Sequence, residues 1–392
     1  MDGETPAPER IERLQHLLRA DTARHAALAA IEDAGIFAEA IVRAAEDAGI
    51  ALHAAEIAGA LRPDPLGLDR FAPQRATTRE WPDAAWRPVD LVPGDAGPLV
   101  VWAHFAGAPL AEPFFEDSRR RAVRRPFNRW LAQRTPLADL AATMPPGLRE
   151  PDGFVFHLSR CGSTLVAQMI AALPDAVVVS EAPILDEIVQ LTHTHPDLPE
   201  AFRIDLLRAM AAALGRGGAG PIVFKLDSWH AMALPLFRKA FPAAPWVFLY
   251  RDLAEIIVSQ MRIRGSQMVQ GMTPYDLYGI DTGVLLPPEE YCARVLGRIC
   301  EAVSAYGDDA GLTIDYADLP GAVEQAILPH LGITTDAAGL AAMRAAAARD
   351  AKQPQQSFTD DRAAKQAEVS DAIRAAVRGL GDIGVVFERA RA

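Results

Sequence analysis

An α/β fold built on a parallel sheet is what this 392-residue sequence predicts, and three observations carry it. From Gly153 onward, short apolar runs alternate with longer stretches of helical periodicity. The runs are apolar nearly throughout, as strands are when helices cover both faces of their sheet. The first run also passes through a tight loop straight into an apolar helix. The expected strands are 153–159 (GFVFHLS), 176–181 (AVVVSE), 221–227 (PIVFKLD), 245–251 (PWVFLYR) and 311–316 (GLTIDY). Between them lie the helical stretches 163–173, 201–215, 229–241, 253–264 and 288–306, and the tail beyond Phe358 reads as helix.

The chain ahead of this pattern reads differently. Residues 9–21, 26–35, 36–49 and 54–61 have apolar positions at helical spacing, with Gly35 and Gly49 where C-terminal caps belong. A Pro-rich, charged stretch over 62–88 follows as a linker or extended arm, and 89–107 predicts two strands about a turn from Pro93 to Pro98. EPFFEDSRRRAVRRPFNRW then returns to helix, interrupted at Pro126. These shifts divide the chain into a helical region (1–65), a linker with a small α+β segment (66–150) and the α/β domain (151–392). The run Arg119, Arg120, Arg121, Arg124, Arg125 reads as a solvated helix face, or else as a dock for an acidic peptide or glycan.

Composition narrows the classes of function. The formal net charge of −12 argues against a nucleic-acid binder, which needs clustered positive charge to displace counterions. No apolar run approaches a membrane span, and MDGETPAPERIERLQ lacks the basic end and apolar run of a secretory signal. Cys161, Cys292 and Cys300 form neither a disulfide framework nor paired zinc ligands. A cytoplasmic protein without metal is the expectation. Only four of the basic residues are lysines: Lys225, Lys239, Lys352 and Lys365. In so arginine-rich a chain, a lysine can mark a need for a compact ammonium.

The strand–loop–helix at 153–171 has the makings of an anion site. Gly162 lets the backbone approach a ligand, Ser163 and Thr164 offer amides and hydroxyls at the helix start, and Arg160 brings a forked charge. The triphosphate loop GxxxxGK[ST] is absent, and no Gly-Lys pair occurs anywhere. SRCGSTL resembles the 5′-phosphosulfate loop of the sulfotransferases, Pro-[Lys/Arg]-Ser-Gly-Thr-Thr, with Ser159 for the proline and Cys161 for the serine. That family also carries an arginine after a later strand and a serine eight residues on, matched here by Arg251 and Ser259.

The resemblance covers roughly 150–360 and implies a sulfotransferase-like α/β fold of the phosphate-loop type. It implies 3′-phosphoadenosine 5′-phosphosulfate as co-substrate, a hydroxyl acceptor (a peptide tyrosine, a small molecule or a glycan) and no metal. Arg160, Cys161, Gly162, Ser163 and Thr164 would hold the 5′-phosphosulfate, and Arg251 with Ser259 the 3′-phosphate. Arg262 adds charge one turn beyond Ser259, Tyr316 resembles a nucleotide-touching tyrosine, and Lys352 a basic residue folded over the donor. Spacing is most similar to the tyrosylprotein sulfotransferases, which makes Glu181 the general base and Lys225 the cation at the bridging oxygen. Arg160 joins them in the catalytic set.

Asp227 and His230 are rival bases, because cytosolic sulfotransferases place a histidine two residues after the matching lysine. Cys161 is a small loop residue rather than a nucleophile, His157 a hydrogen-bonded core residue, and His193 with His195 belong to a loop ending at Pro196. A magnesium-dependent kinase or nucleotide hydrolase using Asp227 or Asp252 is the alternative, and a non-catalytic peptide- or nucleotide-binding module the second. No nucleic-acid or membrane partner is expected, and a homodimer is allowed.

Overall fold

A computed structural model describes residues 6–61, 66, 68, 74–273, 277–281, 283–349 and 362–381. Its contacts divide the chain into two compact units, Met1–Leu110 with Phe115–Leu148, and Ala111–Phe114 with Arg149–Ala392.

In the first unit, α1 (Ala7–Ala20), α2 (Thr22–Ala29), α3 (Ala34–Asp47) and α4 (Ala54–Ala60) precede a three-stranded antiparallel sheet. Gly49 follows α3 at φ +68°, the left-handed turn expected of it. Gly35 instead lies in the first turn of α3, where Asp33 accepts hydrogen bonds from the Gly35 and Ile36 amides and so starts the helix. Strands β1 (Trp86–Val92) and β2 (Leu99–His104) pair about the 93–98 turn. Helices α5 (Phe115–Arg124) and α6 (Pro126–Trp130) are separated at Pro126. Strand β3 (Gln133–Pro136) then adds to β2, followed by α7 (Leu137–Ala142). Trp86, His104, Phe127 and His25 pack ring against ring in its core. The arginine run is divided in use. Arg119 donates to Val89 O and Asp90, and Arg125 to Ala29 O and Glu32, so these two brace the unit.

The second unit is the α/β domain. Strands β4 (Gly153–His157), β5 (Val177–Ser180), β6 (Ile222–Lys225), β7 (Trp246–Tyr250) and β8 (Gly311–Asp315) form one parallel sheet in the order β5-β6-β4-β7-β8. Every residue of β4 to β7 is buried, which accounts for their unbroken apolar character. Between them run α8 (Ser163–Ala171), α9 (Pro183–Thr194), α10 (Glu200–Gly215), a 3₁₀ turn (Ser228–Ala233) with α11 (Leu234–Ala240), α12 (Leu253–Arg262) and α13 (Pro288–Tyr306). After β8 come α14 (Leu328–His330), α15 (Ala337–Ala347), α16 (Arg362–Ala367) and α17 (Asp371–Arg378). His193 closes α9 rather than lying in a loop, because Pro183 and the apolar stripe of Ile184, Ile188 and Val189 propagate a helix to Thr194. Among the described residues no helix is long and apolar enough to cross a membrane.

Chain order reverses about β4. The chain leaves it for β5, returns beside it as β6, then crosses to β7 on its other side. Ligands of open parallel sheets collect at the carboxyl ends of strands flanking such a reversal. Beneath that end, Phe154 packs against Phe224, Phe237 and Phe241 with ring centres 5.8, 5.4 and 5.1 Å away. Phe154→Ala would empty the middle of this cluster and is expected to cost about 3–5 kcal/mol. A shift of the urea midpoint at unchanged slope measures it, and a loss under 1 kcal/mol (about the value of one methylene) would show that the neighbours collapse into the space.

Candidate active site

Strand β4 ends at His157, and the chain turns into α8 through Leu158–Gly162. Two residues of this loop take left-handed backbone angles, Arg160 at φ +62° and Gly162 at φ +83°. A side chain at Gly162 would lie 2.7 Å from Leu319 Cδ1 and 2.9 Å from Tyr316 Cδ2, so glycine is required twice over. No side chain caps α8, and the residues at its start, Gly162 to Leu165, line a cleft of about 480 Å³. The Ser163 and Thr164 hydroxyls also line it, and among the described residues neither spends a hydrogen bond on the protein. Gln260 holds the loop from behind, donating to Ser159 Oγ at 2.8 Å and accepting from Gly265 N at 2.9 Å. Arg160 lines the same cleft while its guanidinium donates to Ile263 O at 2.8 Å. The Cys161 thiol is buried and donates to Leu158 O, and burial pushes it up to about 12, which disfavours the thiolate.

The end of β7 supplies the second cation. Arg251 is buried, donates to Glu255 Oε2 at 2.6 Å and lies 4.0 Å above the centre of the Tyr316 ring. Ser259, two turns along α12, lines the cleft with it. Arg262 does not. One turn further, it points to Glu368 with contacts of 2.5 and 3.0 Å. Lys352 lies outside the described residues, but Lys365, on α16 and buried, lines the cleft. Its neighbour Gln366 donates to Glu255 Oε1 at 2.7 Å, which ties α16 to the Arg251–Glu255 pair.

Between β5 and β6 the parallel register sets Ser180 opposite Lys225, and the next amide, Glu181 N–H, donates to Lys225 O at 2.8 Å. Glu181 takes φ +48° there and meets the Lys225 ammonium in an ion pair. His157 Nε2 lies 3.5 Å from the same carboxylate oxygen and 2.7 Å from Leu226 O. The Lys225 ammonium also sits 4.8 Å from the centre of the Phe114 ring. Burial alone would raise the Glu181 carboxyl, but the Lys225 charge and His157 outweigh it and hold it down to about 2.

Three further groups stand behind this pair. Asp186 Oδ1 receives Trp229 Nε1 at 2.6 Å and faces His230 Nε2 at 2.8 Å. These hydrogen bonds and the His230 charge overcome burial and lower its carboxyl. Asp227 lines the cleft, and burial with the charges of Glu181 and Asp186 raises its carboxyl well above the ordinary carboxylate range. Asp186, Asp227 and His230 bring ligand-type atoms within 4.8 Å of one another, but Asp186 and His230 already engage each other. Asp252 caps α12 through the Glu255 amide at 2.9 Å and is absent from the cleft lining. Sequence reasoning missed Glu255, Asp186, Phe114 and Lys365. Glu255 stands at helical spacing from Arg251 and Lys365 belongs to the four lysines, so these two left a signal. The other two depend on contacts distant in the chain.

No family model and no curated protein matches the chain. Among solved structures it is similar to the sulfotransferase domain of the Synechococcus PCC 7002 olefin synthase, at 17% identity over 62% of this chain and 97% of that one, with a TM-score of 0.39. It is similar to the sulfotransferase domain from the curacin biosynthetic pathway at 17% identity, over 59% of this chain and 98% of that one, with a TM-score of 0.37. For the sulfotransferase STF9 of Mycobacterium avium the values are 12% identity, 59% and 79% coverage and a TM-score of 0.34. Likenesses of this size do not assign a function.

Lys225→Met would strand the Glu181 carboxylate and is expected to cost about 3 kcal/mol at neutral pH. Because Glu181 titrates lower folded than unfolded, the pair's contribution is complete above its unfolded value of about 4.3. It drains away as pH falls toward about 2. Urea midpoints of the two proteins should converge in acid. A gap independent of pH would exclude the ion pair as its cause.

Proposed function

We propose that this chain transfers a sulfuryl group from 3′-phosphoadenosine 5′-phosphosulfate to a hydroxyl acceptor, without metal. One observation carries the reading. Two anion-receiving constellations, the uncapped start of α8 and the Arg251–Ser259 pair, line one cleft together with Glu181, whose ion-pair partner Lys225 is buried beside it. A donor with phosphates at its 3′ and 5′ ends matches two separated sites. A triphosphate would need one continuous cradle with a lysine in the loop, and the chain has no Gly-Lys pair.

In this reading the α8 amides, with Ser163, Thr164 and Arg160, receive the 5′-phosphosulfate, and Arg251 with Ser259 receives the 3′-phosphate. Cys161 and Gly162 contribute through the backbone. Tyr316 stacks its ring against the Arg251 guanidinium, and Lys365 adds charge from α16. Lys225 supplies a positive charge where the bridging oxygen becomes negative, the point at which fixed charge lowers a barrier most. Phe114 and Trp229 line the cleft as well and suit an acceptor with an aromatic ring, such as a phenol or a tyrosine side chain. Against the magnesium-dependent alternative, Asp252 is spent as a helix cap.

Calorimetric titration tests the reading. 3′,5′-Adenosine bisphosphate should bind without metal and in preference to magnesium–ATP. Arg251→Ala should weaken binding by about 10–100-fold, the value of one hydrogen bond to a charged group, and Ser259→Ala by a few-fold. Preference for magnesium–ATP, or bisphosphate binding indifferent to both substitutions, overturns it.

A further inference from the structure

Glu181 is poorly placed to take a proton. Its Oε1 is occupied by the Lys225 ammonium, with His157 Nε2 at 3.5 Å, and a carboxyl held down to about 2 is a weak base at neutral pH. His230 is no better placed. It is 1% exposed and does not line the cleft, its Nε2 faces Asp186, and its Nδ1 is buried with no hydrogen-bond partner among the described residues. Asp227 differs from both. The ladder of β6 continues through Leu226 N–H to Val155 O, and Asp227 keeps an extended backbone at φ −68°, ψ 151°. Two residues apart on an extended chain, Lys225 and Asp227 direct their side chains to the same face. The Asp227 residue is 8% exposed and lines the cleft, yet among the described residues its carboxylate accepts no hydrogen bond. His230 Nε2 lies 4.0 Å from its Oδ2.

We infer that Asp227, rather than Glu181, takes the acceptor's proton, and that Glu181 is the residue that positions Lys225. The inference rests on the sulfuryl-transfer reading and reassigns one role within it. The acceptor's O–H bond breaks with its proton on the Asp227 carboxylate, and the acceptor oxygen bonds to sulfur. The bond from sulfur to the bridging oxygen breaks, leaving its electron pair on the 5′-phosphate oxygen opposite the Lys225 ammonium. The charged groups around Asp227 are Glu181 after β5, Asp186 on α9, Lys225 on β6 and His230 on the 3₁₀ turn. Burial and the two carboxylates raise Asp227, against the opposing charge of Lys225, and so strengthen it as a base. The rate must then fall as pH drops through its raised titration, whereas a Glu181 base would stay ionised through the same range.

Two readouts test this on the full chain. The first is the infrared band of a protonated carboxylic acid, which needs no acceptor. It should persist to neutral pH, disappear in Asp227→Asn, survive in Glu181→Gln and shift with carbon-13 labelling of aspartate carboxyls. The second is release of the bisphosphate from 3′-phosphoadenosine 5′-phosphosulfate, with water and with 4-nitrophenol as acceptor probes. The rate should fall tenfold per pH unit on the acid side, and Asp227→Asn should lower it by about 10²–10⁴-fold and flatten that limb. Glu181→Gln should lower the rate but keep the limb. A band lost with Glu181 instead, a limb that survives Asp227→Asn, or no limb above the ordinary carboxylate range overturns the inference. If Asp227→Asn fails to fold, the wild-type band and its response to aspartate labelling decide, and an unshifted band overturns the inference. Failure to bind 3′,5′-adenosine bisphosphate would instead defeat the sulfuryl-transfer reading itself.

Discussion

The parallel register of β5 against β6 is the constraint on which the cleft depends. Ser180 pairs with Lys225, and the following amide continues the ladder to the Lys225 carbonyl. This leaves Glu181 directly beside a lysine that is 1% exposed. A buried ammonium needs a partner, and the ladder delivers the Glu181 carboxylate to it. Glu181 adopts a left-handed backbone to turn its side chain over the lysine, at a cost of order 1 kcal/mol. A slip of one residue would send Lys225 to the other face of the sheet. The apolar packing of β4 to β7 therefore stabilises the fold and fixes the charges at its end.

The same register explains what could be read in advance. Continuous apolar runs located β4 to β7, because burial on both faces leaves that signature, whereas β8 at the sheet edge is only partly buried and its run GLTIDY is mixed. The expected ends ran past the observed ones by one or two residues at Leu158–Ser159, Leu226–Asp227 and Arg251. Those residues lie beyond the regular strands, and Ser159, Asp227 and Arg251 line the cleft, so the overshoot falls on the site. Strand β3, with the sequence QRTP, carries no apolar period and is a strand because β2 offers it an edge. The opposition of Asp186 to His230 joins residues 44 positions apart, and that of Gln366 to Glu255 joins residues 111 apart. Neither leaves a local pattern.

Net charge was informative about the exterior and silent about the cleft. A chain of charge −12 gathers Arg160, Arg251 and Lys365 around one concavity, with Lys225 sealed beside it. Each arginine there is fixed by an acceptor of the protein's own: Ile263 O for Arg160 and Glu255 for Arg251. Arg262 belongs to the same helix face by spacing, yet Glu368 takes its guanidinium. Helical spacing brings a side chain to a face, and which acid waits there decides whether its charge reaches the ligand.

The choice between arginine and lysine follows from what each cation must do. An arginine's planar fork suits a charge that stays put, as Arg251 does between Glu255 and the Tyr316 ring. In the proposed sulfuryl-transfer reading, the charge that serves the leaving oxygen must transfer its attention from a resting partner to a group that becomes negative only during the reaction. An ammonium on a flexible stem, with three equivalent donors, does this without the geometric penalty of breaking a two-pronged contact. Lys225 rests on Glu181 with the Phe114 ring beside it, and both of those neighbours line the cleft. Glu181, held down to about 2 by the Lys225 charge and His157, is the carboxylate that faces the buried Lys225. Asp227, two residues away, accepts no hydrogen bond among the described residues, and in the proposed reading it is the group that takes the proton. The scarcity of lysine in this chain makes the placement of Lys225 informative, because nearly every other cationic position has been filled by arginine.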